Sequence, residues 1–262
     1  MTRRERLNAL MQLLAESGEI QISDAVEALN SSAATIRRDL TYLDSQRLVT
    51  RTHGGAIANA SSIDLPLSLK SQKAQAEKRR IAQRAADLVP LGSVVALNGG
   101  TTMLEVGHAL AVRPDLSSAP GSDPALTIVT NAVNVAAGLL VRPYLKVVVT
   151  GGVVRPHSYE LYGPIADRSI DGLHVDIAIL GVNGYHPAFG ASAYSDAEAS
   201  VNSRLAASAN TVMIVADSSK IGITAFARIC SPEMVKILVT DTGIDPEMRA
   251  QIEDRGIDLH VV

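Results

Sequence analysis

At 262 residues the chain is long enough for two domains, and its net charge of −3 excludes a protein that grips nucleic acid through bulk positive charge. Hydrophobic residues make up 47% but aromatics only 3%, which points to valine-rich buried strands in an α/β domain and excludes exposed aromatic platforms for single-stranded nucleic acid. The single cysteine, Cys230, excludes an internal disulfide or a thiolate-rich zinc site, and no run of about 18 apolar residues marks a membrane span.

Leu7, Leu10, Met11 and Leu14 predict a first helix, stopped near Gly18, and the segment leading into it lacks the apolar core of a signal peptide. Ile20 and Ile22 fit a short extended piece. Ser23 is expected to cap a second helix with Val26 and Leu29 facing inward, and Asn30-Ser31 to turn the chain into a third. Ser32 is the expected N-cap of that third helix, over 33–45, where Ile36, Leu40 and Leu43 fall at i, i+4, i+7. Thr35, Arg37, Arg38 and Thr41 then point away from the apolar stripe. Residues 48–57 read as a hairpin containing Arg51, His53 and Gly54. Three short helices and a hairpin make a winged helix-turn-helix.

Hydroxyl and guanidinium groups near the start of an exposed helix suit a DNA major groove. Arginine pairs bidentately with guanine or clamps phosphate, and threonine reaches a backbone oxygen or a thymine methyl. Arg37 and Arg38 have a plainer reading as surface charges paired with Asp39 or Asp44, but the helix-turn-helix setting favours DNA contact. Asp39 is expected to orient an arginine or act as a cap, Arg51 to reach a phosphate, and His53 to shape the wing or do the same. The charge distribution agrees in sign: residues 1–90 carry 13 Lys and Arg against 10 Asp and Glu, residues 91–262 carry 11 against 17. That signal is weak, because residues 1–56 balance at seven of each sign.

Residues 58–70 read as a linker, which divides the chain into domains at 1–57 and 71–262. A charged helix at about 71–88 carries Lys73, Lys78, Arg79, Arg80 and Arg84 as an expected solvated face, its Ala and Ile81 side packing inward. Beyond Pro90 come apolar runs at 94–97, 126–129, 145–149, 177–180, 211–215, 237–239 and 259–262, each ended by glycine or a polar turn. Strands apolar throughout and alternating with helices imply a mainly parallel sheet covered on both faces. Residues 113–125 are expected to interrupt it as a mobile loop.

In open parallel sheets, ligands sit beyond the carboxyl ends of the strands. Those ends carry Asn98, Gly100, Thr101 and Thr102 after the first run, Thr130 and Asn131 after the second, and Gly151 and Gly152 after the third. Asn183 and Gly184 follow the fourth, and Lys220 the fifth. Glycine lets backbone approach an anion, hydroxyls and N–H groups at a helix start donate to it, and lysine adds charge. One such turn is ordinary; several in succession imply a site for a small, polyhydroxylated, phosphorylated ligand.

No Gly-x-x-x-x-Gly-Lys nucleotide loop or Gly-x-Gly-x-x-Gly fingerprint is present, so no nucleotide cofactor is expected. His108, His157, His174 and His186 lack metal-ligand spacing, so no metal is expected. Glu198, at the start of a helix, is read as holding a sugar hydroxyl or the helix end, with proton abstraction as the alternative. Ser218 and Ser219 lack a nucleophile elbow and a partner histidine, so no catalytic residue is assigned. Cys230 reads as a core thiol.

Thr35-Ile36-Arg37-Arg38-Asp39-Leu40, followed by Arg51-Thr52-His53-Gly54-Gly55-Ala56, resembles the DNA-binding domain of the DeoR family of bacterial sugar-metabolism regulators. Gly100-Thr101-Thr102, Val129-Thr130-Asn131, Gly151-Gly152, Gly181-Val182-Asn183-Gly184, Glu198 and Ala216-Asp217-Ser218-Ser219-Lys220 resemble its sensor domain. That domain is related in fold to ribose-5-phosphate isomerase, glucosamine-6-phosphate deaminase and CoA transferases. The resemblance spans nearly the whole chain, and its N-terminal motif is the more specific half. It implies a cytoplasmic, homo-oligomeric repressor released from double-stranded operator DNA by a phosphorylated sugar or related anion. The rival is a sugar-phosphate isomerase or deaminase with an appended DNA-binding domain. Asn98 stands where the family often has Asp, Ser31 where valine is common, and the 113–125 loop is longer than usual.

Overall fold

The computed structural model describes residues 1–17, 19–45, 49–58, 74–117, 124–156 and 158–262. The chain divides into two compact units, 1–70 and 71–262. The expected linker lies almost entirely outside the described residues, as do Gly18, Leu48, Lys73 and His157.

The first unit runs α1 (Arg3–Ser17), β1 (Glu19–Gln21), α2 (Ile22–Leu29), α3 (Ala33–Ser45), β2 (Val49–Arg51) and β3 (Gly55–Ala58). Its core joins Leu7, Leu10, Met11 and Leu14 to Ile22, Ala25 and Leu29, and to Ile36, Leu40 and Leu43. Asn30 takes a left-handed backbone (φ 45°) and ends α2, which a short polar side chain tolerates. The Ser23 cap expectation is corrected: α2 starts two residues earlier, after Gln21, with no side-chain cap. The Ile22 N–H is instead taken by the Gly54 carbonyl at 2.8 Å, so the wing supplies the acceptor. β1 makes the hairpin a three-stranded antiparallel sheet, order β1-β3-β2. Gly55 is required there, since a Cβ would lie 1.9 Å from the Ile20 carbonyl oxygen.

The second unit opens with α4 (Gln75–Asp87) and continues β4 (Val94–Leu97), α5 (Thr101–Ala111), α6 (Pro114–Ser117), β5 (Leu126–Thr130), α7 (Val133–Leu139) and β6 (Leu145–Val149). A small hairpin follows, β7 (Val153–Val154) and β8 (Leu161–Tyr162), then α8 (Pro164–Asp171), β9 (Val175–Gly181), β10 (Gly184–His186), β11 (Gly190–Ala193) and α9 (Asp196–Ala207). The chain ends with β12 (Ala209–Val215), β13 (Ala227–Cys230), β14 (Val235–Thr240), α10 (Pro246–Glu253) and β15 (Asp258–Val261).

Seven strands form one parallel sheet in the order β15-β14-β12-β9-β4-β5-β6. Alternate residues feed cores on opposite faces: Val95, Leu97, Ile128, Ile177 and Ile179 on one, Ala96, Val129, Ala178 and Leu180 on the other. Strand order reverses between β4 and β9, so the chain leaves the centre in both directions and opens a crevice at their carboxyl ends.

Two expectations are corrected here. Lys78 on α4 is buried at 5% exposure, so that helix is not solvated along its whole basic face. Pro114–Ser117 is a helical turn and Leu116 is in the core, so the 113–125 segment is not loop throughout; its residues 118–123 lie outside the described residues. β10, β11 and β13 add a three-stranded antiparallel sheet that the apolar runs did not announce.

Candidate DNA-binding surface and effector site

Ser32 caps α3 as expected: its Oγ accepts the Thr35 N–H at 3.2 Å and lies 2.9 Å from the Thr35 hydroxyl. Ile36, Leu40 and Leu43 are fully buried on one side of the helix. Arg37, Arg38 and Thr41 are exposed on the other, and neither arginine forms an ion pair among the described residues. Asp39 is buried and holds arginines of α1 instead, Arg6 at 2.5 Å and Arg3 at 3.7 Å. It ties α3 to α1 and leaves the exposed arginines unneutralised. Arg3 also lies over the Tyr42 ring at 4.7 Å.

Arg51, His53 and Gly54 are exposed on the wing. The Arg51 guanidinium donates to the Thr41 hydroxyl at 3.1 Å, and that hydroxyl donates to the Arg37 carbonyl at 2.8 Å. Wing and helix therefore present their polar groups as one connected surface. A Cβ at Gly54 would meet only the mobile end of the Gln21 side chain, its Oε1 at 2.8 Å.

In the second unit every expected effector residue lies at or just beyond the carboxyl edge of the parallel sheet, or on α9. They are not equivalent. Asn98 is fully buried: its amide donates to the Gly181 carbonyl at 2.9 Å and its Oδ1 accepts the Gly181 N–H at 2.8 Å. It pins β4 to β9 across the crevice. Thr130 is fully buried with its hydroxyl on the Ala132 N–H, and Asn183 accepts the Tyr194 N–H. Gly184 and Gly152 allow close packing, since a Cβ would lie 2.5 Å from the Ile223 oxygen and 2.8 Å from the Tyr162 oxygen respectively.

Gly100, Thr101, Thr102, Gly151, Glu198 and Lys220 are partly exposed. Gly100 has φ 120° and open space where a side chain would stand, directly before the free N–H groups of α5. Strand ends are spaced at about 4.8 Å, which puts the β4 and β12 turns roughly 10 Å apart and the β6 and β12 turns roughly 19 Å apart. One small ligand spans the first pair of turns, not the second.

Four side chains of this site escaped the sequence reading. Glu160, buried at 2% exposure, reaches back from the β7–β8 hairpin to accept the Gly99 N–H at 3.0 Å. Burial pushes its carboxyl above the usual carboxylate range, while the Gly99 bond, nearby Ser158 and Asn202, and the Arg155 charge pull the other way. Arg155 in turn pairs with Glu198 at 3.1 Å, and Ser195 caps the start of α9 through the Glu198 N–H. Asp241, after β14, accepts the Ser218 N–H at 2.7 Å and the Gly243 N–H at 2.9 Å, holding the turn that carries Lys220. Burial raises its carboxyl, but these hydrogen bonds outweigh that and leave it below its ordinary value. The Asp-x-Gly spacing was a legible turn signal. Glu160 had none, because only the hairpin's return over β5 brings it to Gly99.

A helix-turn-helix with an exposed arginine pair, joined to a doubly covered parallel sheet with a polar crevice at its switch point, defines a transcriptional regulator with its own sensor. Family models match both parts: the DeoR-like helix-turn-helix domain over residues 6–62 and the DeoR C terminal sensor domain over 73–242. The chain belongs to the DeoR family of transcriptional regulators.

Among curated relatives, the putative aga operon transcriptional repressor of Escherichia coli O157:H7 is 29% identical over 98% of this chain and 93% of its own. The glycerol-3-phosphate regulon repressor of Escherichia coli K12 is 30% identical over the full length of both chains. The L-fucose operon activator of Haemophilus influenzae is 25% identical over 95% of this chain and 96% of its own.

Proposed function

We propose that the protein is a cytoplasmic repressor of a sugar-catabolism operon that a phosphorylated sugar or related anion releases from its operator. The observation that carries the reading is the unneutralised pair Arg37 and Arg38, exposed beside Thr41 on a helix whose other face is fully buried. In this reading α3 enters the major groove, while Arg51, His53 and Gly54 meet the backbone. The operative domains are 1–57 and 71–262, joined through 58–70. The effector's anion rests on the Gly100, Thr101 and Thr102 turn and on Lys220, with no metal, no cofactor and no chemical turnover. Homo-oligomerisation through the second domain brings two winged helices to paired half-sites.

Release requires the effector to bind the DNA-incompetent form more tightly; a coupling of about 1–3 kcal/mol weakens operator binding roughly 5- to 150-fold. The test is fluorescence anisotropy of the full chain on DNA from upstream of its own gene, at two salt concentrations, followed by titration with sugar phosphates. Specific binding reversed by one of them is the expected result. Absence of specific binding, with turnover of a sugar phosphate, would replace this reading by the isomerase or deaminase one. Reporter expression in a deletion strain separates repressor from activator: expression rises for the first and falls for the second.

A further inference from the structure

The start of α1 lies against α3, and two of its arginines reach the same carboxylate there. Arg6, 13% exposed, closes on the buried Asp39 at 2.5 Å and takes up its charge. Arg3, 62% exposed, lies 3.7 Å from Asp39, beyond hydrogen-bond distance. Its guanidinium is laid over the Tyr42 ring instead, 4.7 Å from the centroid. Two guanidiniums around one carboxylate leave one positive charge in excess, and Arg3 is the one that faces water.

Helical geometry fixes where these contacts fall on α3. Arg38 precedes Thr41 by three residues and Tyr42 by four, so it stands between them on the exposed face. Thr41 takes the wing's Arg51 on its hydroxyl at 3.1 Å, and Tyr42 carries Arg3. The wing and the start of α1 therefore hold guanidiniums on the two sides of the strip that contains Arg38. Tyr42 is 41% exposed, so core packing does not account for its ring.

A helix with its side chains is about 10–12 Å across and the major groove about 12 Å wide, so a helix lying in the groove brings each flank to one phosphate strand. Guanidinium N–H groups match phosphate oxygens bidentately. An aromatic face beneath the guanidinium holds a long side chain in place before contact, which lowers the entropy lost on binding.

We propose that Arg3 is a phosphate clamp, that Tyr42 is its positioning residue, and that it grips the DNA strand opposite the one met by Arg51. The inference rests on the operator-binding reading above and adds a backbone anchor from outside the helix-turn-helix and its wing. Asp39, satisfied by Arg6, steers Arg3 by its charge without capturing it.

The experiment is fluorescence anisotropy of the full-length protein on DNA from upstream of its own gene and on a scrambled duplex, over a series of salt concentrations, with melting temperatures alongside. Arg3→Ala should weaken binding roughly tenfold on both duplexes and lower the salt slope by about one. Its melting temperature should not change, because so exposed an ion pair adds little stability. Arg3→Lys keeps the charge and should keep the slope. Tyr42→Leu should weaken binding by the wild-type chain and add almost nothing to Arg3→Ala, whereas Tyr42→Phe keeps the ring and should bind as wild type does. Neutral methylphosphonates, placed one phosphate at a time, should cease to matter on one strand for Arg3→Ala and on the other for Arg51→Ala. An unchanged slope in Arg3→Ala overturns the clamp, and so does a loss of affinity that tracks a falling melting temperature. Both phosphates on one strand overturn the two-sided grip. An equal cost of Tyr42→Leu with and without Arg3 removes Tyr42 as the positioning residue. No binding of either duplex by wild type sinks the operator-binding reading and the clamp with it.

Discussion

The two units use the same arginine–carboxylate chemistry in opposite arrangements. In the first, Asp39 is buried and spends itself on Arg6 and Arg3 of α1, which leaves Arg37 and Arg38 exposed with no counterion among the described residues. In the second, the arginine is partly covered: Arg155 pairs with Glu198 at 3.1 Å, and its charge also acts on the buried Glu160. An exposed cationic surplus suits a large polyanion that never has to be enclosed. A partly buried ion pair at the edge of the crevice instead holds its walls in place around a small ligand that is surrounded.

The comparison can be broken most severely at the core of the first unit. Leu40 is fully buried, and Leu40→Ala should remove about 2–5 kcal/mol from that unit's stability. Because its core is separate, thermal unfolding should show an early transition for residues 1–70 while effector binding by the second unit persists. A single unchanged transition would contradict the independence of the two cores.

Next in size is the exposed pair. Arg37→Ala or Arg38→Ala should reduce operator affinity by about 1–3 kcal/mol with no change in melting temperature or effector affinity. Unchanged anisotropy on operator DNA would remove α3 from the groove. In the second unit, Lys220→Ala should weaken effector binding roughly tenfold or more while operator affinity holds. Induction at wild-type effector concentrations would place the anion elsewhere.

A subtler test is the pH dependence of Glu160. Its folded carboxyl lies above the ordinary value of 4.5, so the folded state holds that proton more firmly than the unfolded chain does. The resulting stabilisation is complete below about pH 4.5 and is lost as pH rises through the folded value. Melting temperatures followed from pH 4.5 to 8 should therefore decline less in Glu160→Gln than in wild type. Parallel curves would mean the carboxyl is not strained by its burial. The smallest effect belongs to the wing: Arg51→Ala should cost operator affinity nearly equally on all sequences and lower the salt slope by about one.

Much of this organisation was legible because it follows from local pattern. The inner strands of the parallel sheet are largely buried apolar runs, the edge strands β6 and β15 are partly exposed, and each expected run falls on an observed strand to within a few residues. The α3 stripe and its Ser32 cap follow from spacing alone. β10 and β11 were illegible because Gly184-Tyr185-His186 is only three residues long and Gly190-Ala191-Ser192-Ala193 is built of small residues, neither with a β-branched side chain. Ser23 misled because its capping chemistry is generic, whereas the start of α2 is set by a long-range bond from Gly54. Lys78 and Glu160 were illegible for a related reason. Their burial depends on elements distant in sequence, and a charged residue carries no local sign of being enclosed.

The Asn98 amide has a consequence for how the sensor tolerates its surroundings. Donor and acceptor on one side chain close both halves of the exchange with Gly181. The amide does not titrate, so this clasp between β4 and β9 is indifferent to acidity. An aspartate in its place would set oxygen against the Gly181 carbonyl unless it took up a proton. The join between β4 and β9 therefore keeps its shape across the pH range, whatever the charge on the carboxyls around it.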